Sequence, residues 1–241
     1  MTKSEIKFVG LHAHSVFSVF DGLGYPQDHM DFAYENGCDA LALTDHGNMN
    51  GLSHQVLHAK KMQAEGKNFK PIYGIEAYFI DSVDKWKEEY EEIQKNKKGR
   101  KKKEENSAVV VEDEEATKRQ EKNIINRRAH LVLLAQNQTG LNNLFQLISK
   151  SFNGDSFYRY PRIDYKMLAE HHEGIIVSSA CMGGPLSKDY WNNREEGHDA
   201  VQAAMTNTIS NFVEIFGDRF YGELQWNAIP EQHEINKHII E

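Results

Sequence analysis

Six short apolar runs recur along this chain, each separated from the next by a longer polar or amphipathic stretch. They are IKFVGL (Ile6 to Leu11), DALALT (Asp39 to Thr44), PIYGIEAYFI (Pro71 to Ile80), HLVLLA (His130 to Ala135), GIIVSS (Gly174 to Ser179) and RFYGELQ (Arg219 to Gln225). Runs of this length, rich in β-branched and aromatic residues, read as strands. The intervening PQDHMDFAYENG (Pro26 to Gly37) is amphipathic and ends in a glycine that suits a helix C-terminus. Strands alternating with helices predict βα units and a mainly parallel sheet or barrel. At 241 residues the chain is of ordinary size for one α/β barrel domain and can bury a sizeable core.

Charge and cysteine content narrow the function classes. A formal net charge of -8 argues against a protein that grips nucleic acid through a broadly basic face, so any such contact is local. Two cysteines, Cys38 and Cys181, are too few for a secreted disulfide framework and point to a reducing compartment. The N-terminal MTKSEIKFVG has no apolar signal core, and no apolar run is long enough to span a bilayer. The expectation is a soluble cytoplasmic protein without membrane contact.

One segment departs from the alternating pattern. Residues 82 to 128 are dominated by charge, with KNKKGRKKK (Lys95 to Lys103) followed by VEDEE (Val111 to Glu115). Such a stretch lacks the apolar surface to order itself independently, although WKEEYEEI can form a helix. It reads as an exposed, partly mobile insertion in a single domain covering residues 1–241.

The strand ends carry metal-binding residue types. In GLHAHSVFSVFDG, His12 and His14 follow an apolar run, and in an extended chain residues i and i+2 project from one face, which makes a bidentate platform. DALALT runs into Asp45 and His46. Glu76 interrupts an apolar strand, where an unpaired carboxylate would be costly and a cation would remove the cost. His130 abuts another apolar run, and Cys181 lies among small residues that leave room for a ligand. Singly, each has an ordinary explanation: a capping aspartate, a hydrogen-bonded histidine, a small core cysteine. Jointly, they predict a metal site at the strand ends, where α/β folds place their chemistry.

HAHSVFSVFDG, ALTDHGNMNG, PIYGIEAY, AHLVLLAQNQTGLNNLFQLISKSF, PRIDYKML with EHHEGIIVSSACMGG, and YGELQ together resemble successive motifs of the polymerase-and-histidinol-phosphatase (PHP) domain. More narrowly, they are similar to the PHP domain that opens bacterial and phage replicative DNA polymerase III alpha subunits. The resemblance implies a distorted seven-stranded, TIM-like β/α barrel with two or three divalent metal ions, zinc or manganese foremost and iron next. It implies that His12, His14 and Glu76 hold one ion, that Glu76 bridges to a second held by His130 and Cys181, and that Asp21 and His46 hold a third. Clustered ions of this kind hydrolyse phosphoesters, and the polymerase branch implies 3′-5′ proofreading at a DNA primer terminus. His130 fits least well, because it stands at the start of its apolar run.

The family's last motif, Asp-x-His, has no counterpart before the chain stops at EINKHIIE. Seven ligands of nine and a barrel lacking its closing strand are therefore expected. The remainder of the polymerase chain, with palm, fingers and thumb, is the implied partner, either continuous with this segment or as a second polypeptide. Two other readings stand beside this one: a noncatalytic scaffold domain that stabilises the polymerase core, and a free-standing phosphatase acting on a small phosphate monoester.

Overall fold

The computed structural model describes residues 8–104 and 112–241. Ile6 and Lys7, the start of the first expected strand, and residues 105–111 of the charged segment lie outside the described residues.

The elements in order are α1 (Pro26–Glu35), β1 (Ala40–Leu43), α2 (Leu52–Ala64), β2 (Lys70–Phe79), α3 (Val83–Glu104), α4 (Glu112–Asn126), β3 (Ala129–Ala135), α5 (Gln138–Ser151), β4 (Phe157–Tyr158), β5 (Tyr160–Ile163), α6 (Tyr165–Glu170), β6 (Ile175–Ser178), α7 (Pro185–Asn193), α8 (His198–Phe216), β7 (Phe220–Tyr221) and α9 (Pro230–Ile240). The seven strands form one sheet in the order β4-β5-β2-β3-β6-β7, with β1 also paired to β2. Among the described residues the sheet does not close, and the fold is a mixed α/β arrangement. Gly10, the only described trace of the first expected strand in the sheet, bridges Leu41 in parallel.

The expected mainly parallel sheet is corrected here: β1–β2, β2–β5 and β6–β7 are parallel, but β3 is antiparallel to both β2 and β6. The cause is the α3–α4 pair. Trp86 Nε1 donates to Ile124 O at 2.8 Å and Gln94 Nε2 donates to Glu121 Oε1 at 2.7 Å, so α4 runs back along α3. The chain consequently re-enters the sheet at the end from which β2 left it.

The flanks of the charged segment belong to the core. Trp86, Tyr90 and Ile93 fall at helical spacing on α3 and pack, with Ile124 of α4, against the main cluster of Phe79, Leu131, Leu144, Phe212 and their neighbours. Arg162 of β5 is wholly buried beneath them. Its guanidinium lies 4.3 Å from the Trp86 ring centre and donates to the carbonyls of Arg127, Tyr158, Tyr160 and Ile125. Among the described residues no acid balances it, so hydrogen bonds to backbone and the Trp86 ring carry that burial.

A cavity of about 1110 Å³ lies at the other edge of the sheet, walled by apolar residues such as Leu11, Ile72, Leu134 and Leu224 and reaching His12 and Glu223. Among the described residues no pairing bridges β7 to the stretch around Gly10.

Candidate metal centre

Glu76 stands at the middle of β2 with its side chain fully shielded from solvent. Around it converge the residues singled out in the sequence. Its Oε2 lies 3.3 Å from His12 Nε2, 3.0 Å from His14 Nε2 and 3.0 Å from His46 Nδ1, while Oε1 lies 2.9 Å from His130 Nδ1. Cys181 Sγ is 3.7 Å from Oε1 and 3.6 Å from His130 Nδ1. Asp21 closes the far side, its Oδ2 2.9 Å from His46 Nε2. All seven expected ligands are thus brought to one place.

The sheet explains how. His46 follows β1 and bridges Glu76 in parallel, so the loop after β1 delivers it directly. His130 begins β3, but β3 is reversed, and the start of a reversed strand lies level with the ends of its neighbours. It pairs with Tyr78, placing it diagonally next to Glu76 on the same face. Cys181 follows β6, which runs antiparallel to β3. Gly183 supplies the room: a Cβ there would meet His130 Nδ1 at 3.0 Å.

His12, His14 and Asp21 come from one loop, shaped by hydroxyls. Buried Asp45 accepts from the Ser15 amide at 2.7 Å, the Ser15 hydroxyl at 2.8 Å and the Ser18 hydroxyl at 2.7 Å. Asp45 is therefore a brace for this loop, and its backbone carbonyl accepts from the Glu76 amide at 3.1 Å. The turn from Ser18 to Gly22 then aims Asp21 back at His46, with exposed Phe20 in the left-handed region at φ 69°.

Glu223 was not recognisable as a site residue from sequence. It accepts from His12 Nδ1 at 2.7 Å on one oxygen and from the Ser178 hydroxyl on the other. A carboxylate behind Nδ1 turns Nε2 toward the cluster, the carboxylate–histidine arrangement common behind metal ligands. The available signal was a carboxylate inside the strand-like RFYGELQ, the same anomaly that marked Glu76. HEINKH does not join the site: His233 lies by Trp226, and His238 stacks on His198.

The donor set fits a cation better than a proton network. Glu76 Oε2 and His46 Nδ1 are both buried, sit 3.0 Å apart, and neither has a hydrogen bond of acceptable geometry. Buried polar atoms that converge without a satisfying hydrogen bond are what a cation would satisfy. Within this cluster three groups offer ligand atoms within 4.8 Å of one another: His12, His14 and Glu76; His14, Asp21 and His46; His46, Glu76 and His130. The cluster is compatible with divalent metal binding.

Its electrostatics are strongly coupled. Burial alone would raise Glu76, but the imidazoles of His12, His130, His14 and His46 outweigh it and hold the carboxyl well below the usual range. Burial would lower His12, yet the Glu223 and Glu76 carboxylates push it up to about 10. Burial, reinforced by the charges of Glu76 and Glu223, pushes the Cys181 thiol up to about 12.

A family model described as the PHP domain matches residues 10–227. Among curated proteins, the chain is 34% identical over 235 residues to the DNA polymerase III subunit alpha of Aquifex aeolicus, covering 97% of this chain and 17% of that protein. It is likewise 34% identical over 236 residues to the DNA polymerase III subunit alpha of Thermus aquaticus, covering 97% of this chain and 16% of the relative. The chain therefore spans about a sixth of the length of these relatives.

Proposed function

The chain belongs to the PHP domain family, and from that premise we propose that it is the N-terminal PHP part of a replicative DNA polymerase III alpha subunit, with a metal-dependent phosphodiesterase site. Completed by the remaining polymerase chain, the site acts as a 3′-5′ proofreading exonuclease on a DNA primer terminus. The observation that carries this reading is the buried Glu76 carboxylate, ringed by four imidazole nitrogens at 2.9 to 3.3 Å with Oε2 lacking a hydrogen bond.

His12, His14 and Glu76 would hold one ion, Glu76, His130 and Cys181 a second, and Asp21 and His46 a third. Imidazole, carboxylate and a single thiolate favour zinc or manganese over calcium or magnesium. When bound, such ions polarise a phosphoryl oxygen and make water acidic enough to attack phosphorus near neutral pH. The chain's own residues prepare this. Glu223 orients His12, Asp45 fixes the loop that carries His12, His14 and Asp21, and the shielded floor at Glu76 keeps bulk water from screening the charges.

The test is elemental analysis of the purified chain, paired with hydrolysis of bis(p-nitrophenyl) phosphate and of a labelled single-stranded oligonucleotide. Stoichiometric zinc or manganese, diester cleavage abolished by a chelator, and loss of both in the double variant His12→Ala, His14→Ala are expected. Absence of stoichiometric metal, both alone and with a downstream polymerase fragment, would overturn the hydrolytic reading in favour of a scaffold.

A further inference from the structure

Above Glu76 on the same face of β2 sits Tyr78, its ring parallel to His46 (6°, centres 5.9 Å apart) and 5.7 Å from His130. Tyr160 of β5 meets Tyr78 edge-on at 5.3 Å. Across these two rings lies the guanidinium of Arg128, 3.8 Å from the centre of Tyr160 and 5.3 Å from that of Tyr78. Arg128 is thus fixed by aromatic faces at the rim of the cluster, two residues before His130.

Among the described residues no acid pairs with it. Its neighbour Arg127 pairs with Glu89 at 2.8 Å, and Arg162 is spent on four carbonyls. Arg128 makes one hydrogen bond among the described residues, Nη1 to Asn126 O at 3.0 Å, and its Nε is buried without a partner. In a chain of net charge -8, a half-buried cation with unspent donors and no carboxylate partner among the described residues is out of place as a stability device. A planar guanidinium held on aromatic rings is preorganised for a phosphate oxygen pair.

We propose that Arg128 is a substrate-binding residue that clamps a phosphodiester of a single-stranded nucleic acid end, with the β4–β5 hairpin as the surface along which the strand lies. Exposed Phe157, Tyr158 and Arg159 continue from Tyr160 in that hairpin, and Arg159 also has no carboxylate partner among the described residues. Cations interleaved with aromatic rings track a strand's phosphates and bases, whereas a small monoester needs no such extension. This inference rests on the phosphodiesterase reading above.

The experiment uses the metal-loaded chain and a fluorescein-labelled ten-nucleotide oligothymidine, followed by fluorescence anisotropy across a salt series. Arg128→Gln should weaken binding about tenfold and reduce the salt slope by roughly 0.7, the value for one lost phosphate contact on a single strand. Arg128→Lys, which keeps charge but loses the planar fork, should fall between, while Arg194→Gln at the C-terminal end of α7, where Arg194 lies over the Trp191 ring, binds as wild type. Metal content and melting temperature are measured on every variant, so that a folding failure is separated from a lost contact.

Unchanged affinity and slope in folded, metal-loaded Arg128→Gln would overturn the assignment even if diester cleavage is observed. Inorganic phosphate competing as well as the oligonucleotide would overturn the strand in favour of a small phosphate. Arg128-dependent binding in a chain with no metal-dependent cleavage would instead overturn the proposed function and leave the phosphodiester contact standing.

Discussion

Replacing Glu76 with glutamine changes one atom's chemistry and no shape, yet two of the three ligand groups contain that carboxylate. Loss of an outer partner of a metal ligand costs about 10–100-fold in affinity, so removing a direct ligand should cost at least about 100-fold for each affected ion. With free metal at about 100 times the wild-type Kd, binding stabilises the folded wild-type chain by about 2.7 kcal/mol. The same concentration then stabilises Glu76→Gln by only about 0.4 kcal/mol. For a domain of this length, about 2–4 °C of melting temperature accompanies each kcal/mol. Adding zinc or manganese should therefore raise the wild-type transition by about 5–10 °C and that of the variant by about 1 °C, in calorimetry paired with elemental analysis. A variant with wild-type metal stoichiometry and an undiminished shift would refute the idea that Glu76 joins the ions.

Glu223→Gln, which frees His12 Nδ1 from its carboxylate, should weaken metal binding by about 10–100-fold while leaving the metal-free melting curve near wild type; competition with a chromogenic chelator reads this. Arg162→Met leaves four backbone carbonyls without their donor and should lower stability by about 3–5 kcal/mol, seen as a shifted midpoint in urea unfolding. Burial holds Asp189 above its ordinary 3.8, and its Oδ2 has no partner. The folded state then binds the extra proton, so this group's contribution falls as pH rises from 3.8 through the raised folded value. Asp189→Asn should be the more stable protein at pH 7 and match wild type below pH 3.8, by thermal melts across pH.

The site was more legible than the sheet that builds it. Apolar runs located β1, β2, β3 and β6 within a residue or two, because their burial on both faces leaves continuous Ala, Val, Ile and Leu. Periodicity carries no direction, however, so nothing in HLVLLA announced that β3 is reversed, and His130 looked misplaced until that reversal was seen. The hairpin of β4 and β5 was missed because YRYPRI mixes two arginines and a proline into strands of two and four residues, and its stability comes from Arg162 finding distant carbonyls. In the charged segment, composition hid Trp86, Tyr90 and Ile93 among their acidic and basic neighbours; three apolar residues at helical spacing sufficed to anchor α3. Glu223 escaped although it is a carboxylate within a strand-like run, because its partner lies 211 residues away.

That last separation has a temporal meaning. During translation at about 5–20 residues per second, His12 leaves the ribosome roughly 10–40 s before the carboxylate that orients it. Glu76, His130 and Cys181 are likewise drawn from distant segments, so no short fragment of the nascent chain can assemble the groups built on Glu76. In zinc fingers a local loop captures metal and folds around it. Here the ligands come from separate strands, so a ribosome-bound chain stalled before residue 181 should fall short of the full metal complement, and one stalled between 181 and 223 should bind metal about 10–100-fold more weakly.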